Sequence, residues 1–187
     1  MQTLLVVAFS GLLFTALPIY AAPTVQILLS SQNPSVGEPA CGSQANYYTY
    51  TMVVEDGKSV LTRYDFCSPG RPDAEVVTDA VGNNFILLKY SAGSGTTIAV
   101  KLRVFELPSK RENLGRYWGL TEYMTVPIDA TSGPQSEWEY KYKVEKPTCG
   151  GLRFLFTRVV AGHGEIDSIP GQKTRIIEIG VPSKCSP

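Results

Sequence analysis

Few side chains in this 187-residue chain have the type and spacing to do chemistry, and most catalytic schemes fail at the first count. There is one histidine, His163, set in Gly162-His163-Gly164-Glu165. A metal centre built on several histidines is therefore out of reach, and no metal site or cofactor is expected. A Ser-His-Asp arrangement would have to recruit His163 with neighbours such as Asp167 and Ser168, yet no G-x-S-x-G elbow is present to present a serine. The sequence predicts a solvated histidine at a loop.

Carboxylates leave one enzymatic route open. All-β folds can set two of them across a glycosidic bond, with their separation deciding the stereochemical course. Glu106, Glu122, Glu137 and Glu139 lie on or beside predicted strands. Glu137 and Glu139 share a charged face with Lys141 and Lys143, which marks a solvent side. Glu122, in Leu120-Thr121-Glu122-Tyr123, is the one candidate catalytic residue; the ordinary reading of it is a surface glutamate.

Aromatic side chains are the richer resource. Tyr47, Tyr48 and Tyr50 cluster, Tyr117 and Trp118 follow Arg116, and Trp138, Tyr140 and Tyr142 recur at every second residue. Rings with a polar tip suit protein interfaces and stacking on sugars. The Trp138 stripe is expected to serve the core. Arg116, Tyr117, Trp118 and Tyr48 are the expected binding residues, because adjacent side chains on a strand point opposite ways and one of Tyr117 and Trp118 must face outward.

The four cysteines, Cys41, Cys67, Cys149 and Cys185, are even in number and allow three pairings. The apolar runs Leu152 to Val160 and Thr174 to Pro182 flank a polar, Gly-rich stretch and predict a hairpin with Val160 opposite Thr174 and Leu152 opposite Pro182. That register places Cys149 opposite Cys185 at the open end. Asn46 to Val54 and Ser59 to Phe66 flank Glu55-Asp56-Gly57-Lys58, a second hairpin signal. It brings Cys41 near Cys67 if the chain bulges or bends after Cys41. The expected bridges are Cys41–Cys67 and Cys149–Cys185, each worth roughly 3 to 4 kcal/mol in the chain-entropy picture.

Strands must position these residues. In Glu137 to Glu145, Trp138, Tyr140, Tyr142 and Val144 alternate with charged residues, and Thr97 to Phe105 alternates in the same way. Thr24 to Leu29, Asn84 to Tyr90 and Tyr117 to Val126 complete a set of about nine strands with the two hairpins. Asp73 to Val81 offers at most one turn of helix, and Val76, Val77 and Thr78 disfavour it. The fold class is all-β: an antiparallel two-sheet β-sandwich, immunoglobulin-like or jelly-roll-like, with a β-barrel or β-trefoil as the alternative.

Residues 1–21 read as a secretory signal, with an apolar core from Leu4 to Leu17, Pro18 ending it and the cut after Ala21. Residues 22–187 then form one domain. Seventeen basic residues balance 17 acidic ones. That neutrality offers no cationic excess for nucleic acid or anionic lipid, so neither is an expected partner, and after signal removal no membrane is. The expectation is a secreted, disulfide-stabilised binding protein of the effector, adhesion or inhibitor kind, with an extracellular protein or glycan as partner. The alternatives are a small secreted carbohydrate-active enzyme using paired carboxylates and a protease inhibitor.

Overall fold

The computed structural model describes residues 22–30, 41, 47–94, 97–107, 120–132, 137–159 and 174–185. The expected signal at 1–21 lies outside them. Ten strands follow one another: β1 (Thr24–Leu29), β2 (Tyr48–Asp56), β3 (Ser59–Ser68), β4 (Asp73–Thr78), β5 (Asn84–Ser94), β6 (Thr97–Leu107), β7 (Thr121–Ser132), β8 (Glu137–Glu145), β9 (Leu152–Val159) and β10 (Thr174–Ile179). Among the described residues the only helical piece is a 3-10 turn over Ser183–Cys185. None of their helices is long and apolar enough to cross a membrane. The class is all-β and antiparallel, in a three-stranded sheet ordered β1-β2-β3 and a seven-stranded sheet ordered β10-β9-β8-β7-β6-β5-β4.

The strand missed by periodicity is β4, where the sequence offered a helical turn. Its β-branched Val76, Val77 and Thr78 prefer the pleated surface. Pairing along β5 sets Val76 against one core and Val77 against the other. β7 also runs beyond the predicted end at Val126, through Pro127 to Ser132. Proline is tolerated there because Ile128 is an extra, unpaired residue: Lys101 faces Pro127 and Val100 faces Asp129.

Both hairpins form with shifted registers. β2 and β3 meet at Asp56–Ser59, so Gly57 and Lys58 make the turn, and Val54 faces Thr62 rather than Ser59. Leu61 is the bulged residue. It inverts the alternation, so that Leu61 points to the same core as Tyr64 and Phe66. In the second hairpin Leu152 faces Ile179, not Pro182. The ladder stops there because Gly180 takes a left-handed φ of 63° and the 3-10 turn folds the chain back. Cys185 still reaches Cys149, with Cα atoms 6.3 Å apart, and Cys41 reaches Cys67 at 5.7 Å. The bridges are as expected; the turn, rather than strand register, closes the second.

Two cores use the two faces of the large sheet. One holds Ile86, Leu88, Tyr90, Phe105 and Leu107 against Met52, Val54, Leu61 and Phe66 of the small sheet, which stacks the sheets face to face. The other gathers Phe85, Leu87, Leu102, Val104, Met124, Leu152, Phe154 and Phe156 on the opposite face. β5 and β9 are four ladder steps apart, roughly 19 Å in a flat sheet. Yet the Gly151 N–H at the start of β9 donates to Asp79 Oδ2, just after β4, over 2.7 Å. The seven strands therefore curl until their two halves enclose the second core.

Asp79 holds that curl. It is 6% exposed, and its carboxylate accepts from Val81 N–H (3.0 Å), Asn83 N–H (2.8 Å), Asn83 Nδ2 (2.9 Å) and Gly151 N–H. Gly151 has φ 76°, and a Cβ there would stand 2.5 Å from Ile179 O, so the approach needs glycine. Burial pushes the Asp79 carboxyl up, and the hydrogen bonds from Gly151, Asn83 and Val81 together outweigh it, holding the group below its ordinary 3.8. A lowered folded value stabilises the fold above pH 3.8, and this contribution fades as pH falls through the folded value. Asp79→Ala should cost about 3 kcal/mol in urea unfolding at pH 7, because buried N–H donors lose a charged acceptor. The gap between wild type and variant should begin to narrow as pH falls below 3.8. An equal gap at pH 7 and pH 3 would refute the assignment. Non-reducing peptide mapping should return Cys41–Cys67 and Cys149–Cys185; a Cys41–Cys149 peptide would refute both bridges.

Candidate functional site

Alternation along β6 turns Leu102 and Val104 into the inner core and Arg103 towards the small sheet. There the guanidinium lies 5.1 Å from the Tyr90 ring centroid and 5.7 Å from that of Tyr64. It donates to the Tyr64 hydroxyl and, through Nε, to Thr125 Oγ1 at 3.2 Å. The side chain is only 12% exposed, so the cation is held by two ring faces and the groups around it. Tyr64 in turn lies 5.2 Å from Phe105 and 6.0 Å from Phe66, which fixes the slot.

Glu122 is the acid of this slot. Its carboxylate stands 3.6 Å from Arg103 Nε and accepts from Thr125 Oγ1. Glu106 belongs elsewhere. Glu122 faces Phe105 across the β6–β7 ladder and Glu106 faces Thr121, so the two carboxylates project from opposite faces. Glu106 accepts from the Tyr123 hydroxyl, and that bond to a carboxylate is the main reason the phenol is pushed up. These glutamates do not share a concave surface. Glu139 lies on β8 opposite Val159; the side chain of Glu137 lies outside the described residues.

Of the expected binding residues, Tyr48 stands at the start of β2 and is 53% exposed. Leu29 (65%) and Leu28 (49%) at the end of β1 are close by, since Leu29 faces Tyr50. At this end of the small sheet Leu29 and Tyr48 share one face, and Leu28 stands on the other with Thr49, whose hydroxyl contacts Cys41 Sγ at 3.3 Å. Arg116, Tyr117 and Trp118 lie outside the described residues, as does His163. The Trp138 stripe divides: Tyr140, Tyr142 and Val144 pack on the inner core, whereas the Trp138 side chain lies outside the described residues. Burial pushes the Tyr142 phenol up, and Lys89 Nζ sits 5.8 Å from its ring.

Sequence reasoning missed a cleft of about 410 Å³ where β1 meets the start of β4, lined by Val25, Ile27, Arg71, Pro72, Asp73 and Ala74. Asp73 pairs with Lys89 at 3.8 Å, but Arg71 is exposed and has no hydrogen bond or ion pair among the described residues. The alternation of Val25 and Ile27 hinted that these side chains face inward; that β4 lies across from them is a property of the sheet stacking. Among the described residues no group of three or more His, Cys, Asp or Glu is placed to hold a metal ion. The chain matches no protein family, no curated protein and no solved structure with which it was compared.

Arg103→Ala should lower the unfolding free energy by roughly 2 to 3 kcal/mol, because two ring contacts and a charge-assisted bond go together. Glu122, at 43% exposure, sits where solvent screens the pair, so Glu122→Gln should cost no more than about 1 kcal/mol. Denaturant titrations compare the two; a larger loss for Glu122→Gln would overturn this account of the slot.

Proposed function

We propose that the chain is an exported, disulfide-clasped binding protein whose partner is an extracellular protein, and that it carries out no catalysis. The observation that carries this reading is the exposed apolar end of the small sheet, where Leu29 and Tyr48 stand in solvent on one face and Leu28 on the other. Exposed apolar clusters on soluble domains are characteristic of contact surfaces. Aliphatic Leu28 and Leu29 favour a protein over a glycan, since sugar recognition relies on flat aromatic faces and polar donors. Arg116, Tyr117 and Trp118 belong to the same proposal as further contacts.

The carbohydrate-enzyme alternative needs two carboxylates about 5 to 9.5 Å apart on either side of one bond. The opposed directions of Glu106 and Glu122, and the engagement of Glu122 by Arg103 and Thr125, count against it. The test is chemical cross-linking in the natural extracellular fluid with wild type, Leu29→Ser, Tyr48→Ala and Trp118→Ala, each checked by near-ultraviolet circular dichroism. Leu29→Ser and Tyr48→Ala should cut capture of the same protein partner about tenfold or more, as central apolar contacts do. Capture unaffected by both removes this end of the sheet as the contact. Retention on a glycan array that disappears with Tyr48→Ala would replace the protein partner by a glycan.

A further inference from the structure

Among the described residues no strand pairs with the outer edge of β1. Ser30 N–H donates to Thr49 O at 2.9 Å, which fixes the alternation of the β1–β2 ladder. Thr24, Gln26 and Leu28 turn their main-chain groups towards β2, and Val25, Ile27 and Leu29 turn theirs away. Among the described residues no backbone group bonds to these three from the outer side. The same Val25 and Ile27 carry their side chains into the cleft over Pro72 and Ala74, and Arg71 stands at its rim without a counter-charge among the described residues. Among the described residues the structure thus combines a strand edge without a ladder partner, a cleft of mixed lining in which Val25, Ile27, Pro72 and Ala74 sit beside Asp73, and the Arg71 cation close by.

We infer that this edge and cleft form a peptide site: an extended segment of the partner adds to β1 as a fourth strand, seats an apolar side chain in the cleft and places an acidic group on Arg71. The inference deepens the binding reading above and rests on it for the partner being a protein. Main-chain pairing along an open edge supplies affinity, and alternate side chains supply specificity. A residue set beside Ile27 points to the same face as Ile27, which is the cleft side. About 410 Å³ is ample for one aliphatic side chain of the segment. A carboxylate is the natural complement of Arg71, because a planar guanidinium binds it through two parallel N–H bonds. The site lies along the strand whose far end carries Leu28 and Leu29, so one partner can cover both.

The test uses the full chain and a defined probe: a fluorescein-tagged peptide of alternating threonine and valine ended by glutamate, made in both sequence directions. Fluorescence anisotropy at low salt should show saturable binding of one direction. N-methylation at alternate residues, which blocks edge pairing and keeps the side chains, should weaken it about tenfold or more. Arg71→Gln should weaken it about tenfold, and replacing the terminal glutamate by glutamine should do the same with no further loss when combined with Arg71→Gln. Lys141→Gln, an equal charge change on the outer face of β8, should leave the affinity unchanged. No binding of either direction at millimolar peptide, equal binding of the N-methylated probe, or equal losses from Lys141→Gln and Arg71→Gln would each overturn the site. If the probe binds as expected while no extracellular partner is captured, the protein-partner reading falls and the peptide site stands.

Discussion

One carboxylate organises the large sheet. Asp79 sits where the β4–β5 turn, the β8–β9 turn and the segment after β10 converge, and it supplies acceptors to three backbone N–H groups and one side-chain amide. Seven strands joined only edge to edge would spread into a twisted open ribbon. Tying Gly151 to Asp79 brings the two ends of that ribbon over one another, and the space between fills with Phe85, Phe154 and Phe156. The neighbouring Cys149–Cys185 bridge fastens the same corner covalently. A charged acceptor in a buried place is costly alone and stabilising once every lone pair is used, and the curl depends on that balance.

The curl has a consequence for the other face of the sheet. By folding in on one side, the large sheet presents Ile86, Leu88, Tyr90, Phe105 and Leu107 on the other, and this is where the small sheet docks. Arg103 is drawn into the seam between Tyr64 and Tyr90, with Glu122 and Thr125 closing round it. The arrangement keeps a cation, an acid and two hydroxyl groups occupied with one another. At the opposite border of the small sheet, β1 lies over β4 without pairing to it, which leaves the cleft and, among the described residues, an edge without a ladder partner.

Local patterns in the chain carried much of this fold and little of its assembly. Alternation in Glu137 to Glu145 gives β8, which has one face on a core and one in solvent. Alternation in Thr97 to Phe105 gives β6, whose Lys101 and Arg103 interleave with Val100, Leu102 and Val104 although Phe105 enters the core against the small sheet. Both cysteine pairs follow from hairpin geometry, although the Cys149–Cys185 bridge is closed by Gly180 and the 3-10 turn rather than by the ladder. Bulges at Leu61 and Ile128 were not legible, since an extra residue shows only against the partner strand that it displaces. β4 was obscure because its rhythm is short: Asp73 and Glu75 are exposed beside Ala74 and Val76, and the alternation then breaks as Val76 and Val77 turn to different cores. Of the candidate site, Tyr48 was visible as an exposed aromatic. Arg71 and the cleft were not, because they arise from contact between strands distant in sequence.

Each disulfide closes within its own sheet: Cys67 belongs to β3 and Cys41 lies against β2, while Cys149 and Cys185 both follow strands of the large sheet. No cross-link stitches one layer to the other. Their cohesion rests on apolar area, on the Arg103–Tyr64 contact and on the Ser91 N–H that donates to Ser68 Oγ at 3.2 Å. The main chain from Ser68 to Asp73 alone joins the layers covalently, so neither sulfur link opposes a sideways pull of the small sheet away from the large one.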